Sequence, residues 1–142
     1  MYQVTALKLK QLDPSLRVGG PAIVGSLPFL QGFLQYNRDH QVPVDFVSWH
    51  IYTREPQEVV DRALQVHGLM AICGFAEAES ILDEWNYAPA QWSKVFSEAA
   101  AGRKYFTDTH SSIGAAFDTT VMIKLQDAPV DIATFFSGTT FM

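Results

Sequence analysis

Cysteine is scarce in this chain, which has Cys73 as its single thiol among 142 residues. One cysteine excludes an intrachain disulfide and any zinc site that needs a pair of thiolates. Basic side chains are also few: 10 lysines and arginines face 15 aspartates and glutamates, for a formal net charge of −5. Phosphate backbones are bound by clustered basic residues and no such cluster occurs, so we expect no nucleic-acid partner.

Long apolar runs are missing as well. No stretch approaches the roughly 20 consecutive apolar residues that a bilayer span requires, so we expect no membrane partner. The opening MYQVTALKLK lacks the basic segment and apolar core of a secretion signal. We expect a soluble protein of unknown compartment, either cytoplasmic or secreted with a signal that is missing from this chain. His40, His67 and His110 have no metal-ligand spacing, so we expect surface histidines and neither a metal nor another cofactor.

The residues that are present describe a folded domain. Hydrophobic residues make up 48% and aromatic residues 13% of the chain, and its length is that of one domain with a sizeable core. Apolar, strand-like segments are predicted at residues 15–24, 42–52, 79–87 and 129–138. A helical pattern precedes each strand, at residues 4–12, 27–34, 56–70 with Gly68 near its end, and 111–121, and residues 92–106 form an extra helical insertion.

This alternation of helices and strands predicts the fold class. Strands separated by helices of this length pair in parallel, through right-handed crossovers. Three of the four strands are nearly continuous apolar runs, as in sheets that are covered on both faces. We therefore predict an α/β fold of parallel βα units, and the pattern leaves open whether the sheet is doubly wound or part of a closed barrel.

The ends of the predicted strands are rich in polar and aromatic residues. In a closed barrel the active site lies at the carboxyl ends of the strands. These ends have the sequences WHIY at 49–52, EWNY at 84–87 and FFSG at 135–138. Such a set suits a sugar, because it offers hydrogen-bonding groups for the hydroxyls, aromatic faces for the ring and an acid for the glycosidic bond.

Period-2 alternation along the strands predicts which of these side chains share a face. On the second strand, His50 and Tyr52 fall on one face. On the third strand, Glu84 shares its face with Leu82, whereas Asp83 points the other way. We therefore expect Glu84 and His50 to face the same cavity.

Four segments together carry a family resemblance: YQVTALKLKQLDPSLRVGGPA, VPVDFVSWHIY, ILDEWNY and LQDAPVDIATFFSG. In this order and spacing they resemble the carboxyl-terminal half of the catalytic barrel of glycoside hydrolase family 39, the family of β-xylosidases and α-L-iduronidases. The resemblance implies a (β/α)8 TIM barrel, of which residues 1–142 would form strands five to eight as a partial catalytic domain. The family's acid/base motif, Asn-Glu-Pro at the end of strand four, has no counterpart here, so we expect the chain to start after it.

The resemblance also implies roles for individual residues. Glu84, in ILDEWN, matches the family's catalytic nucleophile, and His50, at the end of DFVSWH, matches a histidine that contacts the substrate. One departure stands beside the nucleophile, where the family usually has Thr or Ser and this chain has Asp83. Further substrate-binding candidates are the polar and aromatic residues at the strand ends, Tyr52, Trp85, Asn86 and Phe136.

Two functions follow from this resemblance. The first is a fragment of a retaining glycoside hydrolase that carries the nucleophile and lacks the acid/base glutamate, so that the isolated chain would be inactive. Its carbohydrate substrate would be a neutral glycoside such as a β-xyloside, because the segment HIYT offers no cation for a uronic acid before Arg54. The alternative is a non-catalytic half-barrel that binds carbohydrate or depends on a partner chain. In either case, exposed barrel edges would favour self-association.

Four residues outside the site are expected to serve the fold. Asp45 and Asp131 each stand shortly before or within a predicted strand, and we expect them to make structural hydrogen bonds at the floor of the sheet. Gly19 and Gly20 are expected to allow close packing, because no glycine-rich phosphate-binding pattern accompanies them.

Overall fold

The computed structural model of the chain describes residues 1–88 and 92–136, and it alternates helices with strands as predicted. The elements are α1 (Tyr2–Leu12), β1 (Gly19–Val24), α2 (Leu27–Asp39), β2 (Phe46–Thr53), α3 (Pro56–Ile72), β3 (Glu79–Tyr87), α4 (Trp92–Ser97), α5 (Ala99–Thr109), α6 (Ser112–Leu125) and β4 (Ile132–Phe135). The predicted insertion is therefore two helices, α4 and α5, which pack on each other. Residues 137 and 138 of the predicted fourth strand lie outside the described residues.

Local chemistry explains most helix boundaries. Ser26 caps α2 by accepting a hydrogen bond from the backbone N–H of Phe29 at 3.3 Å, and Ser111 caps α6 in the same way from Ile113 at 3.1 Å. Helix α3 was expected to end near Gly68 but continues to Ile72. The reason is packing, because an interior glycine costs only about 0.5–1 kcal/mol while the buried stripe of α3 continues past it. The helix ends before Gly74, which has a φ of +87°.

The four strands form one parallel sheet in the order β1-β2-β3-β4, which confirms the predicted parallel α/β arrangement. Helices α2, α3 and α6 pack against one face of the sheet. Their buried side chains meet Val47, Trp49, Leu82 and Trp85 of the central strands in a single core. We call the opposite face of the sheet the inner face; no buried side chain of α2, α3 or α6 packs on it in the described part of the chain.

The amino-terminal edge of the sheet is held by two aspartates. Asp45 Oδ2 accepts a hydrogen bond from the backbone N–H of Val18 at 2.7 Å, and Asp131 Oδ2 accepts one from Ser80 at 2.8 Å. Each carboxylate thus joins the entry of its own strand to the neighbouring strand. The predicted structural role of both aspartates at the sheet floor is confirmed.

The two glycines that open β1 serve different needs. A Cβ at Gly19 would overlap the carbonyl oxygen and ring of Phe46, so close packing is confirmed there. At Gly20 the space is open, and the expectation of close packing is wrong. Its φ of +154° is a conformation that residues with a side chain rarely adopt.

Three of the histidines lie on the protein surface: His40, His67 and His110 are exposed, as predicted. None of the helices in the described ranges combines the length and apolar character that a bilayer span requires. Within the same ranges, no three His, Cys, Asp or Glu side chains converge as a metal site would need.

Candidate active site

A β-bulge in β3 shapes the candidate site. Trp49 of β2 pairs with Leu82 of β3, but the next residue, His50, pairs with Glu84, so Asp83 is an extra residue in the third strand. The same extra residue is present in the pairing with β4. Leu82 and Trp85 are both buried in the helix-covered core, which leaves two consecutive residues between them. Asp83 and Glu84 therefore both contact residues of the inner face.

This bulge corrects two predictions from simple alternation. Leu82 does not share a face with Glu84, because its side chain is 0% exposed in the helix-covered core. Asp83 does not point away from the candidate site, because its Oδ1 lies 3.3 Å from Nδ1 of His50. One extra residue changes the phase of a period-2 pattern, so residues on either side of the bulge cannot be assigned by one alternation.

Glu84 is held by a phenol from the neighbouring strand. The hydroxyl of Tyr52 donates a hydrogen bond to Oε1 of Glu84. Burial raises the pKa of Tyr52 well above its usual range, and the Glu84 hydrogen bond and negative charge raise it further. The phenol therefore stays protonated and remains a donor at any physiological pH. One carboxylate oxygen of Glu84 is thus oriented by Tyr52.

Asp83 and His50 form a second contact next to the first. The side chains are 29% and 20% exposed, respectively. Burial raises the pKa of the Asp83 carboxyl, with a further rise from the charge of Glu84, and the contact with His50 opposes that rise. The backbone carbonyl of Asp83 also accepts a hydrogen bond from Oγ1 of Thr134 in β4. The bulged residue is therefore held from both neighbouring strands.

Asn86 and Phe136 meet at the end of β4. Nδ2 of Asn86 donates a hydrogen bond to the backbone carbonyl of Phe136 at 2.6 Å, and Oδ1 accepts one from the N–H of Tyr87 at 2.6 Å. The Phe136 side chain is 43% exposed. Asn86 belongs to β3, the strand of the predicted nucleophile, and Phe136 follows β4; the amide of Asn86 bonds to backbone groups through both its nitrogen and its oxygen.

Trp85 does not line the candidate site. Its side chain is 3% exposed, and its ring lies 5.1 Å from that of Phe135 and 6.4 Å from that of Phe117 in α6. The indole therefore supports the core on the helix-covered face. The prediction that Trp85 contacts substrate is wrong for this structure, because the residue after the bulge turns toward the helices.

Tyr105 of α5 is a residue near the site that sequence reasoning missed. Tyr105 is among the groups that raise the pKa of Tyr52, after burial and Glu84, and it therefore lies near the Tyr52 and Glu84 pair. The signal in the sequence was the helical insertion itself, because a segment that follows β3 must leave from the carboxyl edge of the sheet. A helix in that position is available to cover a site at this edge.

The charge of the site is negative. Two adjacent carboxylates, Asp83 and Glu84, lie at the carboxyl edge, and no lysine or arginine of the described residues forms an ion pair with either. The nearest cation along β2 is Arg54, which is exposed and pairs with Glu55 at 3.5 Å.

In parallel α/β folds the active site lies at the carboxyl ends of the strands, which is where the carboxylate, imidazole and phenol of this chain lie. The family model described as "Glycosyl hydrolases family 39" matches residues 1–137 of the chain. The chain therefore belongs to glycosyl hydrolase family 39, and the predicted family membership is confirmed.

Individual relatives agree with this family. A beta-xylosidase of Geobacillus stearothermophilus is 52% identical over 54 residues, which are 37% of this chain and 11% of that protein. The crystal structure of a glucosidase from Croceicoccus marinus superposes with a TM-score of 0.72 at 31% identity, over 94% of this chain and 27% of that one. A monomeric beta-xylosidase from Caulobacter crescentus has the same fold, with a TM-score of 0.74 at 24% identity over 96% of this chain and 28% of that one. The chain thus spans little more than a quarter of these two solved structures.

Proposed function

We propose that this chain carries the nucleophile half of the active site of a retaining glycoside hydrolase that acts on neutral glycosides such as β-xylosides. Glu84 is the nucleophile. The observation that carries the proposal is the position of Glu84 at the carboxyl end of β3, with one carboxylate oxygen held by Tyr52. The beta-xylosidase and glucosidase names of the relatives support a glycosidic substrate.

The geometry suits nucleophilic attack on an anomeric carbon. Tyr52 binds Oε1 of Glu84, which leaves Oε2 to form the bond to the sugar. As that bond forms, the bond between the anomeric carbon and the leaving oxygen breaks, and the electron pair goes to the leaving oxygen. A retaining enzyme protonates this oxygen from a second carboxyl group about 5–5.5 Å from the first.

We assign the second carboxyl group, the general acid, to a residue that does not belong to the described part of this chain. Asp83 is the carboxyl group next to Glu84 in sequence, and its Oδ1 faces His50. A general acid must face the leaving oxygen, and Asp83 is engaged elsewhere. The resemblance to the family points the same way, because its acid/base motif has no counterpart in the sequence.

Substrate contacts are assigned to three residues. His50 contacts Asp83, Asn86 lies in β3 two residues after Glu84, and Phe136 follows β4 and accepts a hydrogen bond from Asn86. The paired carboxylates Asp83 and Glu84 favour a neutral sugar, since they would repel the carboxylate of a uronic acid. Arg54 does not offset them, because it is exposed and pairs with Glu55.

We infer further that β1 to β4 are strands five to eight of a (β/α)8 barrel, so that residues 1–142 are part of a catalytic domain. Four parallel strands with helices on one face are half of such a barrel. This placement makes β3 the seventh strand, which is where the resemblance puts the nucleophile. The inner face of the sheet then corresponds to the barrel interior.

The proposal is tested by covalent labelling of the chain as it stands. The probe is 2,4-dinitrophenyl 2-deoxy-2-fluoro-β-D-xylopyranoside, whose leaving group departs as a stable phenolate and needs no protonation by a general acid. Glu84 is expected to displace the dinitrophenolate and keep the fluorosugar as an ester. Intact mass spectrometry and peptide mapping would then show one sugar per chain, on Glu84.

Two variants make the labelling result specific. Glu84→Gln should stay unlabelled, while Asp127→Asn, which changes a carboxylate after α6, should be labelled at the parental rate. A chain that takes up no label, or takes it up on a residue other than Glu84, would overturn the nucleophile assignment. An unlabelled chain that still bound xylosides would support the non-catalytic half-barrel instead.

A further inference from the structure

The bulge in β3 brings together two groups that neither the family relationship nor the proposed nucleophile requires to meet. Asp83 is the extra residue of the bulge, and its Oδ1 lies 3.3 Å from Nδ1 of His50 on the neighbouring strand. We propose that Asp83 is a positioning residue, which holds His50 in the tautomer with its proton on Nδ1 and so presents the Nε2 lone pair as a hydrogen-bond acceptor.

The chemistry of the two groups supports this assignment. A neutral imidazole has one N–H donor and one acceptor nitrogen, and the hydrogen bond made by one nitrogen decides the role of the other. An ionised carboxylate only accepts hydrogen bonds. Nδ1 of His50 must therefore carry the proton when it bonds to Asp83, and Nε2 must be the acceptor.

The structure holds both partners in place. The peptide of Asp83 is fixed from the other side by the hydrogen bond from Thr134 to its carbonyl oxygen. Its carboxylate and the imidazole are each less than one-third exposed, so water competes only in part for the contact. The separation of 3.3 Å between Nδ1 and Oδ1 is slightly beyond the usual N–H···O range of about 2.7–3.2 Å. We expect binding of a second partner at Nε2 to shorten this contact.

The consequence for recognition rests on the proposed function. If the sugar lies at the carboxyl edge, Nε2 of His50 accepts a hydrogen bond from one of its hydroxyls. The other tautomer would offer an N–H there, and it would leave Nδ1 and the Asp83 carboxylate as two facing acceptors. Asp83 thus selects a donor on the substrate without touching it.

Nuclear magnetic resonance of the 15N-labelled chain, without any sugar, tests the tautomer. At pH 8, long-range 1H–15N spectra distinguish a protonated Nδ1 from a protonated Nε2, and His50→Gln identifies the resonances among the 4 histidines. We expect the Nδ1–H tautomer to dominate in the parental chain. In Asp83→Ala, His50 should return mainly to the Nε2–H form that free histidine prefers.

Matched variants separate positioning from a general disturbance of β3. Asp83→Asn keeps an acceptor oxygen and should retain a population of the Nδ1–H form between those of the parent and the alanine variant. Glu79→Gln removes a carboxylate from the start of the same strand and should leave the tautomer unchanged. An identical tautomer in the parent and Asp83→Ala would overturn the proposal. Because no sugar is present, a failure of the nucleophile labelling would reject the proposed function without altering this result.

Discussion

Adjacent carboxylates with different partners are the main feature of this chain at the residue scale. Asp83 meets an imidazole, whereas Glu84 meets a phenol, although the two follow each other in sequence. Burial raises the pKa of Asp83, so keeping it ionised opposes folding. Groups that reduce stability in this way are common at functional sites, where the strain or charge serves the reaction.

The pH dependence of the free energy of unfolding should show that ionised Asp83 destabilises the folded chain. Its carboxyl has a pKa of 3.8 when unfolded and a raised pKa when folded, so between these values the folded chain binds more protons. The stabilising contribution of the protonated form is therefore lost as pH rises from 3.8 through the folded pKa. Asp83→Asn lacks this loss. We expect its free energy of unfolding, measured in urea, to gain on that of the parent as pH rises above 3.8 and then to level off.

The control for this pH series is Asp39→Asn, an exposed carboxylate at the end of α2. Its stability difference from the parent should not follow the same course. If the difference in free energy of unfolding between Asp83→Asn and the parent stays constant or falls with rising pH, burial does not raise the pKa of Asp83.

The hydroxyl of Tyr52 should matter for the reactivity of Glu84. Tyr52→Phe removes the hydrogen bond that orients Oε1. Hydrogen bonds to charged groups are worth about 1.5–3 kcal/mol, so labelling of Glu84 by the fluorosugar should slow by about tenfold or more. Tyr36→Phe is the matched control, because that hydroxyl bonds Gln3 between α1 and α2. Equal labelling rates for the two variants would remove Tyr52 from the mechanism.

The sequence predicted which residues would gather at the site better than it predicted their directions. Tyr52 bonds to Glu84 and His50 contacts the adjacent Asp83, because the carboxyl ends of parallel strands share one edge. Leu82 and Asp83 were assigned to the wrong faces because Asp83 is the extra residue of a bulge. A bulge is a property of strand pairing, and no residue in ILDEWNY indicates it, so alternation counted back from Glu84 gave the wrong face for the residues before it. Trp85 was proposed from its place at the strand end, where alternation from Glu84 puts it on the helix-covered face.

Element boundaries were predictable where a local group decides them. The serine that caps α6 and the proline that opens α3 mark helix starts both in the sequence and in the structure. The end of α3 was not predictable in this way, because tertiary burial on both sides of Gly68 outweighs its low helix propensity.

The start of β1 should be intolerant of any side chain. Gly19→Ala would place a Cβ against the carbonyl and ring of Phe46 and push β1 away from β2. We expect a loss of about 2 kcal/mol or more in the free energy of unfolding, as for other overpacked sites. Gly32→Ala is the matched control, since it lies in α2 with open space around it. It should stabilise the chain by roughly 0.5–1 kcal/mol, and equal effects at the two glycines would contradict the packing argument.

At the scale of the whole molecule, the sheet has two edge strands with which another chain can pair. β1 and β4 are the edges of the described sheet, and each has backbone groups on its outer side that the four strands do not use. β4 is exposed throughout, with Ile132 at 45% and Phe135 at 42%. The sequence predicted such edges through the family resemblance, but no composition or periodicity indicated how much apolar surface they would expose.

The isolated chain is therefore expected to self-associate, with the inner face as the contact surface. Ile81 lies on that face, since its neighbours Ser80 and Leu82 are both buried toward the helices and Ile81 pairs with the exposed Ile132. Ile81→Lys should weaken association by at least tenfold, because a buried charge at the contact would have to lose its water. Ile123→Lys, at a position 65% exposed on α6, is the matched control and should associate like the parent. Sedimentation velocity over a hundredfold range of concentration measures both. A parent that remains monomeric throughout this range would reject self-association, and a parent and Ile81→Lys that associate equally would exclude the inner face as the contact.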